Sequence, residues 1–341
     1  MSLQYEESNE DKRQITPEEY LQERKAAIRA RSWWAIGFGI FAIAGSFAAI
    51  WLAVNYFPEY MEDAAGKSVF YFLFRNLYFL LGIFFLAVGI WGLYYAKKLK
   101  FEDLIPSPEA IEFARQSVST TPYYSYILVG CIIAVTITQN YAGLDESVEI
   151  AGLVKPYIWE NHQYWRILTG AALHGGFLHI FFNGYALYGF GSLIEYLSNR
   201  AHLTVVFLLA IIGGGLTSLY FMPDAASIGA SGGIMGLIGY LAVYGYRRRQ
   251  QLSPDFLKSM LVNIGFIAAF GLVAYQVVDN FAHLGGLIVG AIYGFVQVPR
   301  DLHKNPRNVS NFTKIIGVIA LGIFILTCLF SILLLLRVIQ A

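Results

Sequence analysis

Ser227-Ile228-Gly229-Ala230-Ser231-Gly232-Gly233-Ile234-Met235-Gly236 opens an apolar stretch that continues to Tyr246. Small residues on both sides of Ser231 leave a hydroxyl that other groups can approach closely. A helix beginning near Ala230 would also aim unpaired backbone N–H groups at whatever meets that hydroxyl. Two readings fit. Ser231 is a nucleophile if a base reaches it, or the segment is a close-packing point between membrane helices, where Gly, Ala and Ser concentrate. The choice depends on the rest of the chain.

Of 341 residues, 57% are hydrophobic and 14% charged, against roughly a quarter charged in soluble domains. The apolar residues come in long runs, which makes this an all-α, polytopic membrane helix bundle. A net charge of +1 gives no basis for a nucleic-acid partner. Cys131 and Cys328 both lie within apolar runs and read as small hydrophobes, not as a disulfide framework. The charged start of the chain shows no cleavable signal peptide.

Residues 1–32 are polar and read as a solvated lead-in to the membrane. Within them Thr16-Pro17-Glu18-Glu19 carries a capping hydroxyl, a proline at the first helical position and a glutamate placed for a capping box. The helix that follows is expected to end in Arg24, Lys25, Arg29 and Arg31. Nine spans are expected, at about Trp33–Phe57, Val69–Tyr95, Tyr123–Gln139, Gly176–Leu197, Leu203–Met222, Ala230–Tyr246, Phe256–Tyr275, Phe281–Val298 and Ile315–Leu336. Arg75 near the start of the second would snorkel, or that span begins later. Phe101–Pro122 reads as a linker, with a helix start at Ser107-Pro108-Glu109; Ser253-Pro254-Asp255 repeats that pattern before the seventh span.

Lys and Arg concentrate in alternate loops: Lys97, Lys98, Lys100 and Arg115; Arg200; Arg247, Arg248 and Arg249; Arg300, Lys304, Arg307 and Lys314. The positive-inside rule then predicts a cytoplasmic N-terminus, an external C-terminus, and external placement of the loop Asn140–Gly175 and of the loop before Ser231. Arg337 is the exception.

Spans four, six and eight should run the same way, each ending at a basic residue. Ser231 lies 16 residues before Arg247, His283 17 before Arg300, and Asn183 17 before Arg200, with His179 one turn higher. At about 1.5 Å per residue these groups sit roughly 24–26 Å above the inner surface of a core about 30 Å thick. Polar groups inside a bilayer pair with one another or line a wet cavity. Equal depth on three helices therefore predicts a shared pocket near the outer face. Ser231 and His283 supply a nucleophile and a base. His179 and Asn183, four apart on one helical face, can donate hydrogen bonds to an oxyanion beside the Ser231 N–H, and can equally be interhelical glue. Gly286, Gly290 and Gly294 form a packing stripe that would bring the eighth span against Ser231, Gly232, Gly236 and Gly239 of the sixth.

Taken in order, Trp165-Arg166, then His174, His179, Asn183 and Glu195, then Gly229-Ala230-Ser231-Gly232, then Ala282-His283 with Gly286 and Gly290, resemble the rhomboid family of intramembrane serine proteases. The resemblance covers about Tyr123–Val298. It implies a six-helix core at 123–298, with residues 33–122 supplying two additional N-terminal spans and a cytoplasmic linker, and 299–341 a cytoplasmic linker and one additional C-terminal span. It further implies a Ser231–His283 dyad, an oxyanion hole of His179, Asn183 and the Ser231 N–H, and support from Trp165, Arg166, His174, Glu195, Gly229, Gly232, Gly286 and Gly290. The implied substrates are transmembrane proteins, in a plasma or inner membrane. No cofactor or metal is expected. Some members carry an aromatic residue four after the nucleophile; Met235 stands there, so the orientation of His283 is less supported. Asp279, four before His283, reads as a helix cap or loop contact, with orientation of His283 the alternative.

Two other classes compete. A rhomboid-like protein that binds transmembrane helices without cutting them would typically lose Ser231 or His283, and both are present. A transporter would place its polar site at mid-bilayer, and this one lies near a face.

Overall fold

The computed structural model describes residues 16–56, 73, 76–105, 108, 111, 121–253 and 255–339. Arg75, the Ser107-Pro108-Glu109 helix start, most of the linker to Pro122, and Pro254 fall outside the described residues or are described only in part. The chain forms two compact units, Met1–Pro106 and Ser107–Ala341.

The first unit pairs α1 (Pro17–Tyr56) with α2 (Leu77–Lys98). The capping box forms: Glu19 N–H donates to Thr16 Oγ1 (3.2 Å) and Thr16 N–H donates to Glu19 Oε2 (2.8 Å). The polar lead-in and the first span are nevertheless one helix of 40 residues. No proline or glycine separates Arg31 from Trp33, so nothing stops the helix as the chain changes from charged to apolar. Asn76 caps α2, accepting from Tyr78 N–H (2.9 Å) and Phe79 N–H (3.3 Å).

The second unit contains α3 (Tyr123–Ala142), α4 (Leu144–Ala151), α5 (Lys155–Asn161), α6 (Arg166–Thr169), α7 (Phe177–Leu197), α8 (Arg200–Phe221), α9 (Ser231–Arg247), α10 (Asp255–Val273), α11 (Asn280–Gln297) and α12 (Asn311–Leu335). Among the described residues there is no strand, and Leu153 and Ser227 form one isolated β-bridge. The fold is the expected all-α polytopic bundle. Helix bounds fall within about four residues of those expected, except at the start of α1 and at the start of the second span, where α2 begins at Leu77 and the expected start at Val69 lies outside the described residues. The loop Asn140–Gly175 folds into three short helices and a 3₁₀ turn at Gly170–Ala172.

Seven described helices are long and apolar enough to cross a membrane. The two that carry Ser231 and His283 are shorter, at 17 and 18 residues. Nearly all of α9 is buried, with Leu237, Tyr240, Leu241 and Tyr244 in the main core. A helix enclosed by other helices need not match the bilayer thickness itself. The last helix, α12, packs on α8 and α3. Its Leu321, Phe324 and Cys328 belong to the same buried cluster as Phe207 of α8 and Leu128 and Ile132 of α3.

Candidate active site

Three helices begin at one end of the second unit. Ser231 is the first residue of α9, His179 the third of α7 and His283 the fourth of α11. Gly229 has φ +119°, a region that favours glycine, and turns the chain sharply into α9. Its N–H donates to Gly170 O (2.9 Å), and the first bond within α9 runs from Ile234 N–H to Ala230 O (3.0 Å). The N–H groups of Ser231, Gly232 and Gly233 therefore face out of the helix end.

The ring of His179 lies against Gly229. A Cβ there would stand 2.7 Å from His179 Nε2 and 3.9 Å from Ser231 Oγ. Gly175 N–H donates to His179 Nδ1 (3.1 Å). A nitrogen that accepts carries no proton, so the neutral ring holds its proton on Nε2, the atom beside Gly229. His179 thus presents a donor beside Gly229, two residues before Ser231. Asn183 is buried and its side-chain amide donates back to His179 O (2.9 Å). In this conformation Asn183 stiffens α7, with one amide hydrogen to spare.

Helices α9 and α11 touch backbone to backbone. A Cβ on Gly286 would overlap the Gly232 carbonyl, one on Gly290 would overlap that of Gly236, and one on Gly232 would stand 3.4 Å from Ala282 O. Residues flanking Ser231 therefore meet residues flanking His283. No hydrogen bond joins the two side chains, and His283 Nδ1 is buried without a partner. Asp279 is the N-cap of α11, accepting from Ala282 N–H (2.9 Å).

The surrounding residues are tied into the loop. Arg166 is buried, and its guanidinium donates to Gln163 Oε1 (2.6 Å), Gly152 O (2.8 Å) and Glu149 O (2.9 Å). It lies 4.7 Å from the ring centroids of both Tyr157 and Trp165. Burial lowers its pKa, opposed by Tyr157 and Glu149. Trp165 meets Phe330 of α12 edge to face. His174 N–H donates to Gln139 Oε1 (2.8 Å), and its ring lies 5.1 Å from that of His179. Burial, helped by His179, pulls the His174 pKa down to about 3. Glu195 accepts from Ser125 N–H and Ser125 Oγ, both at 2.8 Å, and so caps the start of α3.

Sequence reasoning passed over Lys155, Ser218 and Ser227. Lys155 Nζ donates to Ser227 Oγ (3.0 Å) and lies 3.9 Å from Asp279 Oδ2. The hydroxyls of Ser218 and Ser227 both donate to Asp279 Oδ2. The available signal was a lone lysine before a proline in a loop poor in cations. Among the described residues no group of three or more His, Cys, Asp or Glu could hold a metal.

A family model described as "Rhomboid domain" matches residues 161–300. The chain is 34% identical over 172 residues to "Rhomboid protease GluP" of Bacillus subtilis (strain 168), covering 50% of this chain and 34% of that protein. It is 30% identical over 163 residues to "RHOMBOID-like protein 6, mitochondrial" of Arabidopsis thaliana, covering 45% of this chain and 50% of that one. A third relative, at 30% identity over 140 residues (41% of this chain and 40% of its own length), is "Inactive RHOMBOID-like protein 8" of the same plant. The chain thus spans half or less of the length of these curated relatives. The matched region holds His174, His179, Asn183, Ser231 and His283 in the order and helical setting just described, and over residues 161–300 this multi-pass membrane protein is similar to the rhomboid family.

Proposed function

We propose that the protein is an intramembrane serine endopeptidase that cleaves transmembrane segments of membrane proteins by a Ser231–His283 dyad. One observation carries this reading: Gly232, next to Ser231, packs on Ala282 and Gly286, which flank His283, while a protonated ring nitrogen of His179 stands against Gly229, two residues before the serine. The relative named a rhomboid protease supports it.

In this mechanism a substrate helix unwinds into the bundle. Ser231 Oγ attacks the peptide carbonyl carbon as its proton passes to the His283 ring. A turn of that ring closes the Ser231–His283 bond once substrate excludes water, since such bonds are often long in the free enzyme. The oxyanion accepts hydrogen bonds from the Ser231 N–H, His179 Nε2–H and the spare amide hydrogen of Asn183. Collapse breaks the C–N bond, and His283 gives its proton to the leaving amine. Water, deprotonated by His283, then hydrolyses the acyl-enzyme and restores the Ser231 hydroxyl. Under the loop-charge reading, the site opens outside and the N-terminus is cytoplasmic.

The test is turnover of a single-span membrane substrate by purified wild type, Ser231→Ala and His283→Ala. Cleavage surviving in either variant removes the dyad. The absent Ser231–His283 hydrogen bond and the relative named inactive favour a second reading, a protein that binds transmembrane helices without cutting them. Covalent labelling of Ser231 by a fluorophosphonate separates the two.

A further inference from the structure

We propose that the buried Lys155–Asp279 pair, with Ser218 and Ser227, is a positioning clamp that sets the distance between Ser231 and His283. The inference rests on the proposed dyad and deepens it.

Four elements converge on the pair. Lys155 opens α5 in the loop, Ser218 belongs to α8, Ser227 lies in the segment leading into α9, and Asp279 caps α11. Ser227 precedes Ser231 by four residues and Asp279 precedes His283 by four. The proton accounting closes at the carboxylate. Asp279 Oδ1 accepts from Ala282 N–H (2.9 Å), and Oδ2 accepts the hydroxyl protons of Ser218 and Ser227. Ser227 Oγ, its own proton given away, accepts from Lys155 Nζ (3.0 Å). Its backbone is held as well, by paired bonds with Leu153 at 3.1 Å each way. One ammonium and one carboxylate therefore tie the segment entering the Ser231 helix to the cap of the His283 helix.

The Lys155 side chain is fully buried and that of Asp279 is 15% exposed. Burial lowers the Lys155 pKa, and Asp279 opposes the shift. A buried pair of this kind is weak evidence for stability. Its best-attested use is to specify one arrangement over others, while removing one partner strands the remaining charge. Stability and positioning can therefore be separated. Lys155→Met strands Asp279. Lys155→Met with Asp279→Asn removes both charges yet keeps a capping oxygen at 279.

Purified wild type, Lys155→Met and the double variant are compared by thermal midpoint, by hydrogen exchange of peptides covering 223–231 and 279–286, and by the rate of fluorophosphonate labelling at Ser231. The clamp predicts faster exchange in both segments and labelling slowed at least tenfold in Lys155→Met. It predicts that the double variant regains the thermal midpoint without regaining the labelling rate. Unchanged exchange in either segment overturns the clamp, and so does labelling that returns together with the midpoint. Should Lys155→Met fail to fold, the double variant alone decides, by slow labelling at a wild-type midpoint or by its absence. An unlabelled wild type would sink the protease reading instead, and exchange in the two segments would still decide the clamp.

Discussion

Gly229→Ala tests the site most sharply, because a strained backbone and a steric contact coincide there and a matched control exists. Gly229 has φ +119° and Gly176 has φ +112°. Alanine at either position forces an L-residue into a sparsely allowed region, at a cost of order 1–3 kcal/mol. The surroundings differ. Nothing lies within 4 Å of a Cβ at 176, whereas a Cβ at 229 stands 2.7 Å from His179 Nε2. Ordinary contact needs about 3.4 Å, so the ring must retreat by about 0.7 Å. That motion strains its 3.1 Å bond from Gly175 N–H and displaces the Nε2–H that the proposed mechanism aims at the oxyanion. If His179 is an oxyanion donor, its displacement costs about 10²–10³ in kcat. Both variants should lose thermal midpoint, Gly229→Ala the more by its added contact, and only Gly229→Ala should lose turnover. The assay is cleavage of a reconstituted substrate at a temperature where all three proteins are folded. Gly229→Ala within threefold of wild-type kcat, with its midpoint lowered at least as far as in Gly176→Ala, would refute the role given to His179.

Acidification should destabilise the fold through His174. Its folded pKa of about 3 lies below the unfolded value of about 6.5. The unfolded chain takes the proton first, so the contribution is intact above pH 6.5 and declines as pH falls toward 3. At about 1.4 kcal/mol per pH unit, roughly 2 kcal/mol is lost by pH 5. Thermal midpoints of wild type and His174→Asn should converge over that range, and parallel curves would count against the assignment. Gly286→Val should force α9 and α11 apart, because the new Cβ meets the Gly232 backbone and not a flexible side chain. Ser231 labelling should be abolished, while Gly322→Ala on α12, with nothing within 4 Å of its Cβ, leaves labelling unchanged.

The helices and their ends were legible in the sequence because their causes are local. Apolar runs, the Thr16–Glu19 box and the glycine stripe on α11 each act within a turn or two of chain. The identities of the candidate nucleophile, base and donors were equally legible, through their spacing and resemblance. Other features depend on groups far apart along the chain, and only the tertiary structure decided them. Lys155 read as one of two cations in an external loop, and its burial against Ser227, 72 residues away, follows from how that loop folds over the bundle. Helix α12 read as an appended span, yet Phe324 and Cys328 are enclosed with α3 and α8. Asn183 read as a pocket donor or as interhelical glue, and the structure shows one of its amide hydrogens bonded to its own helix at His179 O. Hydropathy and helical period specify that a segment is helical and which residues share a face. They do not specify which distant backbone or charge that face will meet, and here that pairing decides what surrounds the serine.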